Sequence, residues 1–274
     1  MDLYIDPAGI PEEEHEAARF IEANVRQLIS MTEDFRAALD LFLFVLELKN
    51  TDRDKFRERM RWASLAGSQG AIIACSFWEV MQATNAMKAP AIWANADMAE
   101  RGRGIKLFGQ QFPQIAAIRK SAAHPGELSA TAAEWAKHSI KGSFEAFGIA
   151  AVDGTDAFIQ GTMYVEGSKM TYGSSFRGKP VSYELSEESA QVLESVAGSY
   201  LITFLPLEGE KARQAREWHA KIDGEQLRGQ SSRPRSFLLP VQPLPQQARG
   251  GPLLLKTCKA ALKAASALRR WRLQ

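Results

Sequence analysis

Cysteine is almost missing from this chain: Cys75 and Cys258 are the only two in 274 residues. That excludes a disulfide framework and a Cys-rich zinc site, and it makes a reducing compartment the simplest setting. Histidine is scarce as well. His15, His124, His138 and His219 are all too far apart to share one face of a helix turn, so no metal is expected. The chain also lacks a GxxxxGK[ST] phosphate loop, an HExxH pair, a GxSxG elbow and a GxGxxG dinucleotide loop. Arg101-Gly102-Arg103-Gly104 has glycines but no strand signal before it. No cofactor is expected. Long apolar runs are missing too. The most apolar stretch, Ala38 to Leu48, is interrupted by Asp40 and Glu47 and falls short of the roughly 20 residues that span a bilayer. The first residues are acidic and hold no apolar signal core. These absences together predict a cytoplasmic protein.

The composition supports a real core, with 45% apolar and 9% aromatic residues. The net charge of +2 hides a strong asymmetry. Residues 1–50 carry 4 basic and 11 acidic groups, whereas residues 211–274 carry 14 and 3. The last quarter is therefore a different kind of segment.

Helix signals dominate to about residue 142. Pro11 fits a first helical position, and Glu12, Glu13, Glu14 and Glu16 suit a helix N-terminus through the dipole. Phe20, Ile21, Val25, Leu28 and Ile29 form one apolar stripe, and Ala38, Leu41, Phe42, Val45 and Leu48 a second. Thr51 is placed to cap a long helix running through Trp62, Leu65, Ile72, Ile73, Phe77, Val80 and Met81, with Pro90 as its end. Gly67 and Gly70 inside it mark either a break or close packing. Shorter helices are expected at about 96–110 and 113–124, stopped by Pro125-Gly126, and another from Ser129. From residue 157 to 185 the period changes to two. Turns at Glu166-Gly167-Ser168 and Arg177-Gly178-Lys179 divide that stretch into an antiparallel meander. Ser186 then caps a last core helix. The predicted fold is mostly α: a helical bundle with a small antiparallel β-meander inserted before the last core helix. The domain spans residues 1–208. Residues 209–252 read as a charged, then proline-rich linker, and 253–274 as a basic amphipathic segment.

One segment carries a motif with chemical content: PQIAAIRKSAAHPGEL, in which Arg119 and His124 are separated by four intervening residues late in the helical region. Arg213 and His219, with five residues between them, make a second Arg-to-His match but lie in the charged region beyond the core. With the order of elements over roughly residues 20–205, the first pair resembles the HEPN superfamily of helical bundles. That resemblance implies a homodimer that cleaves RNA without a metal, in a toxin or defence setting, with an antitoxin or other protein partner. It implies His124 as general base or acid toward the ribose 2′-hydroxyl, and Arg119 as the group that holds the scissile phosphate. Lys120 stands where the superfamily often has asparagine. Lys120 and Ser121 are placed as supporting residues. Glu79 interrupts an apolar face; a charge there needs a partner, and Arg119 is the candidate.

Two further features bear on function. Trp62, Trp78, Trp93 and Trp135 sit among helical apolar residues and are expected in the core or at a dimer interface. Lys256, Lys259, Lys263, Arg269, Arg270 and Arg272 form a basic tail suited to anions, RNA before a membrane surface. The alternative to an enzyme is a non-catalytic dimeric scaffold or nucleotide-binding protein of the same architecture.

Overall fold

The computed structural model describes residues 3–48, 53–123, 125–147, 149–151, 156–210 and 213–214. They belong to the first of two units of the chain, Met1–Ile222; the second, Asp223–Gln274, lies outside the described residues. So do Thr51, His124 and all six basic residues expected to form the tail site.

Two helices of 33 residues each, α1 (His15–Glu47) and α2 (Arg53–Asn85), form the spine. At 1.5 Å per residue each is about 50 Å long, and they pack along one another. The two stripes anticipated in α1 belong to this single helix. Ile21, Val25, Leu28, Phe35, Leu39 and Phe42 are fully buried at spacings of three, four and seven. Phe20 and Leu48, expected inside, are exposed.

α2 corrects the prediction more sharply. Trp62, Leu65 and Ile72 face solvent, while Ala63, Ala66, Ala71 and Ala74 are buried beside Phe77 and Met81. Small side chains let neighbouring backbones approach closely, and large ones are left on the outer face. Gly67 and Gly70 do not break the helix. A Cβ on Gly67 would lie 2.5 Å from Met170 Sδ, and one on Gly70 2.6 Å from the Tyr183 hydroxyl oxygen.

Pro90 opens a helix rather than closing one. It is the first residue of α3 (Pro90–Asn95), where its missing N–H is not needed. The next two N–H groups of α3 are satisfied from far away: Glu14, 5% exposed, accepts from Ala91 N at 2.9 Å and Ile92 N at 3.0 Å. The glutamate expected to favour its own helix start thus holds another. Glu14→Ala leaves those two buried donors unpaired. It is expected to cost about 2–3 kcal/mol, with Glu14→Gln recovering part. Urea melts of both variants measure this directly.

Asp97 caps α4 (Met98–Gln111) by accepting from Ala99 N and Glu100 N. The Arg-Gly-Arg-Gly run lies inside α4, where Gly104 allows close packing on Ser199 of α8 (Glu187–Phe204). Ser186 caps α8 as predicted. Of the described helices, α8 has the length and hydropathy to cross a membrane, and 56% of its most apolar window is buried within the bundle. Arg36 on α1 ties α8 down through Glu187 and Glu194.

The expected 113–124 helix is α5 (Ile115–Ala123), which ends before Pro125; that proline also opens a single further turn, α6 (Pro125–Leu128). α7 (Ala132–His138) is capped by Thr131, two residues beyond the predicted Ser129. A hairpin of β1 (Phe144–Ala146) and β2 (Ile149–Ala151) follows, which the sequence pattern did not announce. The predicted meander is present as β3 (Thr162–Glu166), β4 (Lys169–Phe176) and β5 (Lys179–Leu185), paired in the order β3-β4-β5. Tyr172 stands opposite Tyr183 and Met170 opposite Leu185, and this face packs on α2 and α5. The other face of β4 is covered in part by the Phe147 ring, which lies where a side chain at Gly173 would be. The result is a mostly helical bundle with a small antiparallel sheet placed before its last helix.

The tryptophans divide. Trp78 and Trp93 pack against the core, whereas Trp62 and Trp135 are exposed.

Candidate functional site

The site begins at α5. Ile115, Ile118 and Ser121 turn inward and are buried, which leaves Arg119 and Lys120 at the edge of the helix. Ser121 donates its hydroxyl hydrogen to the Ile118 carbonyl oxygen at 3.0 Å, and it is not among the cavity-lining residues.

Arg119 pairs through Nε with Glu79 Oε1 on α2, the partner expected from sequence. Both side chains are nearly half exposed, at 43% and 44%, so this is a rim pair and not a buried charge. One turn before Glu79 lies Cys75, buried against α5. Burial, reinforced by the Glu79 carboxylate and opposed by Arg119, pushes its thiol up to about 12. The neutral thiol is not a nucleophile at physiological pH. In a Cys258→Ser background, Cys75 is expected to resist Ellman's reagent at pH 8 in the native protein and react fully once unfolded. Prompt native labelling would contradict the packing described.

Arg119 and Lys120 form one wall of an open cavity of about 280 Å³. α6 contributes Glu127 and Leu128, and α7 contributes Glu134, Lys137 and His138. Phe176 and Arg177, at the turn between β4 and β5, close the far side. The cavity is therefore built where the helical bundle meets the inserted sheet.

His138 is 3% exposed and both its ring nitrogens are engaged. Nδ1 accepts from the backbone N–H of Arg177 at 3.1 Å, which assigns the ring proton to Nε2 in the neutral form. Nε2 lies 3.3 Å from Glu134 Oε2, one helical turn back. The ring also packs against Phe176, with centroids 5.0 Å apart. His138 thus pins α7 to the β4–β5 turn. Lys137, 3.2 Å from Glu134, holds that carboxyl below the usual carboxylate range, and His138 adds to the effect.

Arg119, Lys120, Lys137 and Arg177 line the cavity against Glu127 and Glu134, so its charge leans positive. Arg119 is matched by Glu79 and Lys137 by Glu134. Lys120 and Arg177 pair with no carboxylate among the described residues, and each lies near the Phe176 ring instead. Lys120 Nζ is 5.9 Å from the ring centroid and Arg177 Cζ is 5.3 Å from it. Such an arrangement suits an anion of phosphate size. Among the described residues, no group of three or more His, Cys, Asp or Glu is placed to hold a metal.

Of the predicted site residues, Arg119, Lys120 and Glu79 come together here, while His124 and the six tail cations lie outside the described residues. Sequence reasoning missed His138, Phe176 and Arg177. One signal for them was available: Glu134 and His138 are four apart on a short helix. Another was an Arg-Gly hairpin turn where Asn-Gly is the favoured pair. No family model matches the chain, and neither curated proteins nor solved structures yield a match.

Proposed function

We propose that this protein is a metal-independent endoribonuclease acting as a homodimer in the cytoplasm, in the manner that its resemblance to HEPN proteins implies. The observation that carries the reading is Arg119, set at the rim of an open cavity with excess positive charge. Glu79 engages its Nε, which fixes the plane of the guanidinium; the fork of a guanidinium offers further N–H donors that match a phosphate. Lys120 and Arg177 add charge without a carboxylate partner among the described residues. In the proposed reaction His124 accepts the ribose 2′-hydroxyl proton, and the 2′-oxygen attacks the adjacent phosphorus. The bond to the 5′-oxygen breaks, and that oxygen takes up a proton. The products are a 2′,3′-cyclic phosphate and a 5′-hydroxyl end. Arg119 stabilises the charge that builds on the phosphoryl oxygens. The exposed outer face of α2, with Trp62, Leu65 and Ile72, continues toward Glu79 and supports pairing with a second copy.

The Glu79–Arg119 pair itself favours a second reading, in which Arg119 ties α5 to α2 and the protein is a scaffold or nucleotide-binding dimer. Incubation with mixed RNA in EDTA separates the two. The nuclease reading expects cleavage by the wild type and loss of cleavage in both Arg119→Ala and His124→Ala. No cleavage, or equal cleavage by all three proteins, leaves the scaffold reading.

A further inference from the structure

The inserted sheet ends at the cavity on an unfavourable residue. Phe176 pairs with Lys179, so the β4–β5 loop is the two residues Arg177 and Gly178. Their φ angles are +51° and +75°, the geometry in which both central residues are left-handed. Glycine and asparagine adopt it readily, whereas a long side chain pays a steric cost of about 1 kcal/mol. Among the described residues the other non-glycine with positive φ, Phe147, has a packing reason: its ring covers Gly173. Arg177 has none. Its backbone N–H serves His138, and any residue but proline supplies that group. Its side chain is exposed, faces the cavity beside Phe176 and has no acidic partner among the described residues. A left-handed turn position that carries an exposed cation over an aromatic ring at the mouth of a cavity points to a ligand.

We infer that Arg177 and Lys120, both beside the Phe176 ring, are a phosphate-binding pair of the RNA site. It would hold a backbone phosphate next to the one held by Arg119. The inference rests on the nuclease reading and extends it. The inserted meander becomes part of the substrate site, and His138 becomes the residue that positions its turn. Phe176 gives both cations a common apolar support.

Arg177→Gly is the informative variant, because it removes the cation and relieves the backbone together. The probe is a fluorescent single-stranded 2′-O-methyl RNA, which has no free 2′-hydroxyl and so binds without being cut. Binding is measured by anisotropy across a salt series, with thermal melts alongside. The expected result is binding about tenfold weaker, with the slope of log K against log salt reduced by about 0.7, the value for one single-strand phosphate contact. The melting temperature should be unchanged or higher. Arg177→Lys should recover part of the affinity and the full slope. Lys120→Ala should reproduce the loss. If Arg177→Gly binds with wild-type affinity and slope, Arg177 is not a phosphate ligand, while the nuclease reading stands on its own assay. If the wild type fails to bind the probe and also fails to cut RNA, both are overturned.

Discussion

Gly70→Val is expected to destabilise the bundle strongly. A Cβ at this position meets the Tyr183 hydroxyl oxygen at 2.6 Å and Leu185 Cδ1 at 3.1 Å. Tyr183 is not free to yield. It is buried, its hydroxyl donates to the Gly67 carbonyl oxygen, and burial holds its phenol well above the ordinary range, so it stays a neutral donor. Making room for valine pushes the ring away, breaks that hydrogen bond and opens the sheet from α2. Overpacking and a lost buried hydrogen bond together cost about 3 kcal/mol. For a domain of this size that lowers Tm by about 6–12 °C. Gly102→Ala gives the opposite sign. Nothing lies within 4 Å of its Cβ position, and it is inside α4. Alanine there should stabilise by about 0.5–1 kcal/mol through backbone entropy. Thermal melts of the two variants test whether α2 is in fact pressed onto the sheet. Equal shifts of the same sign would contradict it.

Arg119→Ala should lower RNA cleavage about 10²–10³-fold, the loss seen when one preorganised donor to a developing charge is removed. A structural role for Arg119 predicts something different. If its work were only to hold Glu79, then Glu79→Ala would match Arg119→Ala in both activity and stability. The pair is nearly half exposed on each side, so its contribution to stability is about 0–1 kcal/mol. Glu79→Ala should therefore leave the melt nearly unchanged and cost less than about tenfold in rate, by loosening the guanidinium's orientation. Arg119→Lys keeps the charge but loses the fork, and it should fall between the two. Equal losses in Glu79→Ala and Arg119→Ala would point to the scaffold reading.

What could be read from the sequence follows from which signals are periodic. The meander alternates strictly through Met170, Tyr172 and Ser174 and again through Val181, Tyr183 and Leu185, and the structure buries that face. Two-residue turns with a glycine supplied its register. Glu79 and Arg119 were legible because a lone carboxylate on an apolar stretch asks for a partner, and the pair is formed. α2 was misjudged for a physical reason. Its buried face is made of alanines and glycines, which carry little hydropathy, so Trp62, Leu65 and Ile72 gave the louder but wrong stripe. Prolines misled in the same way. Pro90 and Pro125 read as stops in the sequence, and a helix does end before each, yet each also opens the next helix, because a proline is as acceptable at a first helical position as it is disruptive inside. The β1–β2 hairpin has strands of three residues, too short to show a period. The cavity was only half visible. Arg119 and Lys120 lie in the motif, but His138 and Arg177 reach them through tertiary contacts that no local spacing encodes.

The central claim is cleavage through the substrate's own 2′-hydroxyl, without a metal. The most direct test is the chemistry of the product ends. RNA cut by the wild-type protein in EDTA should carry 2′,3′-cyclic phosphate and 5′-hydroxyl termini, and a strand with a single 2′-deoxy residue should resist cleavage on the 3′ side of that residue alone. Products with 5′-phosphate ends, or cleavage that the 2′-deoxy substitution leaves intact, would contradict the account.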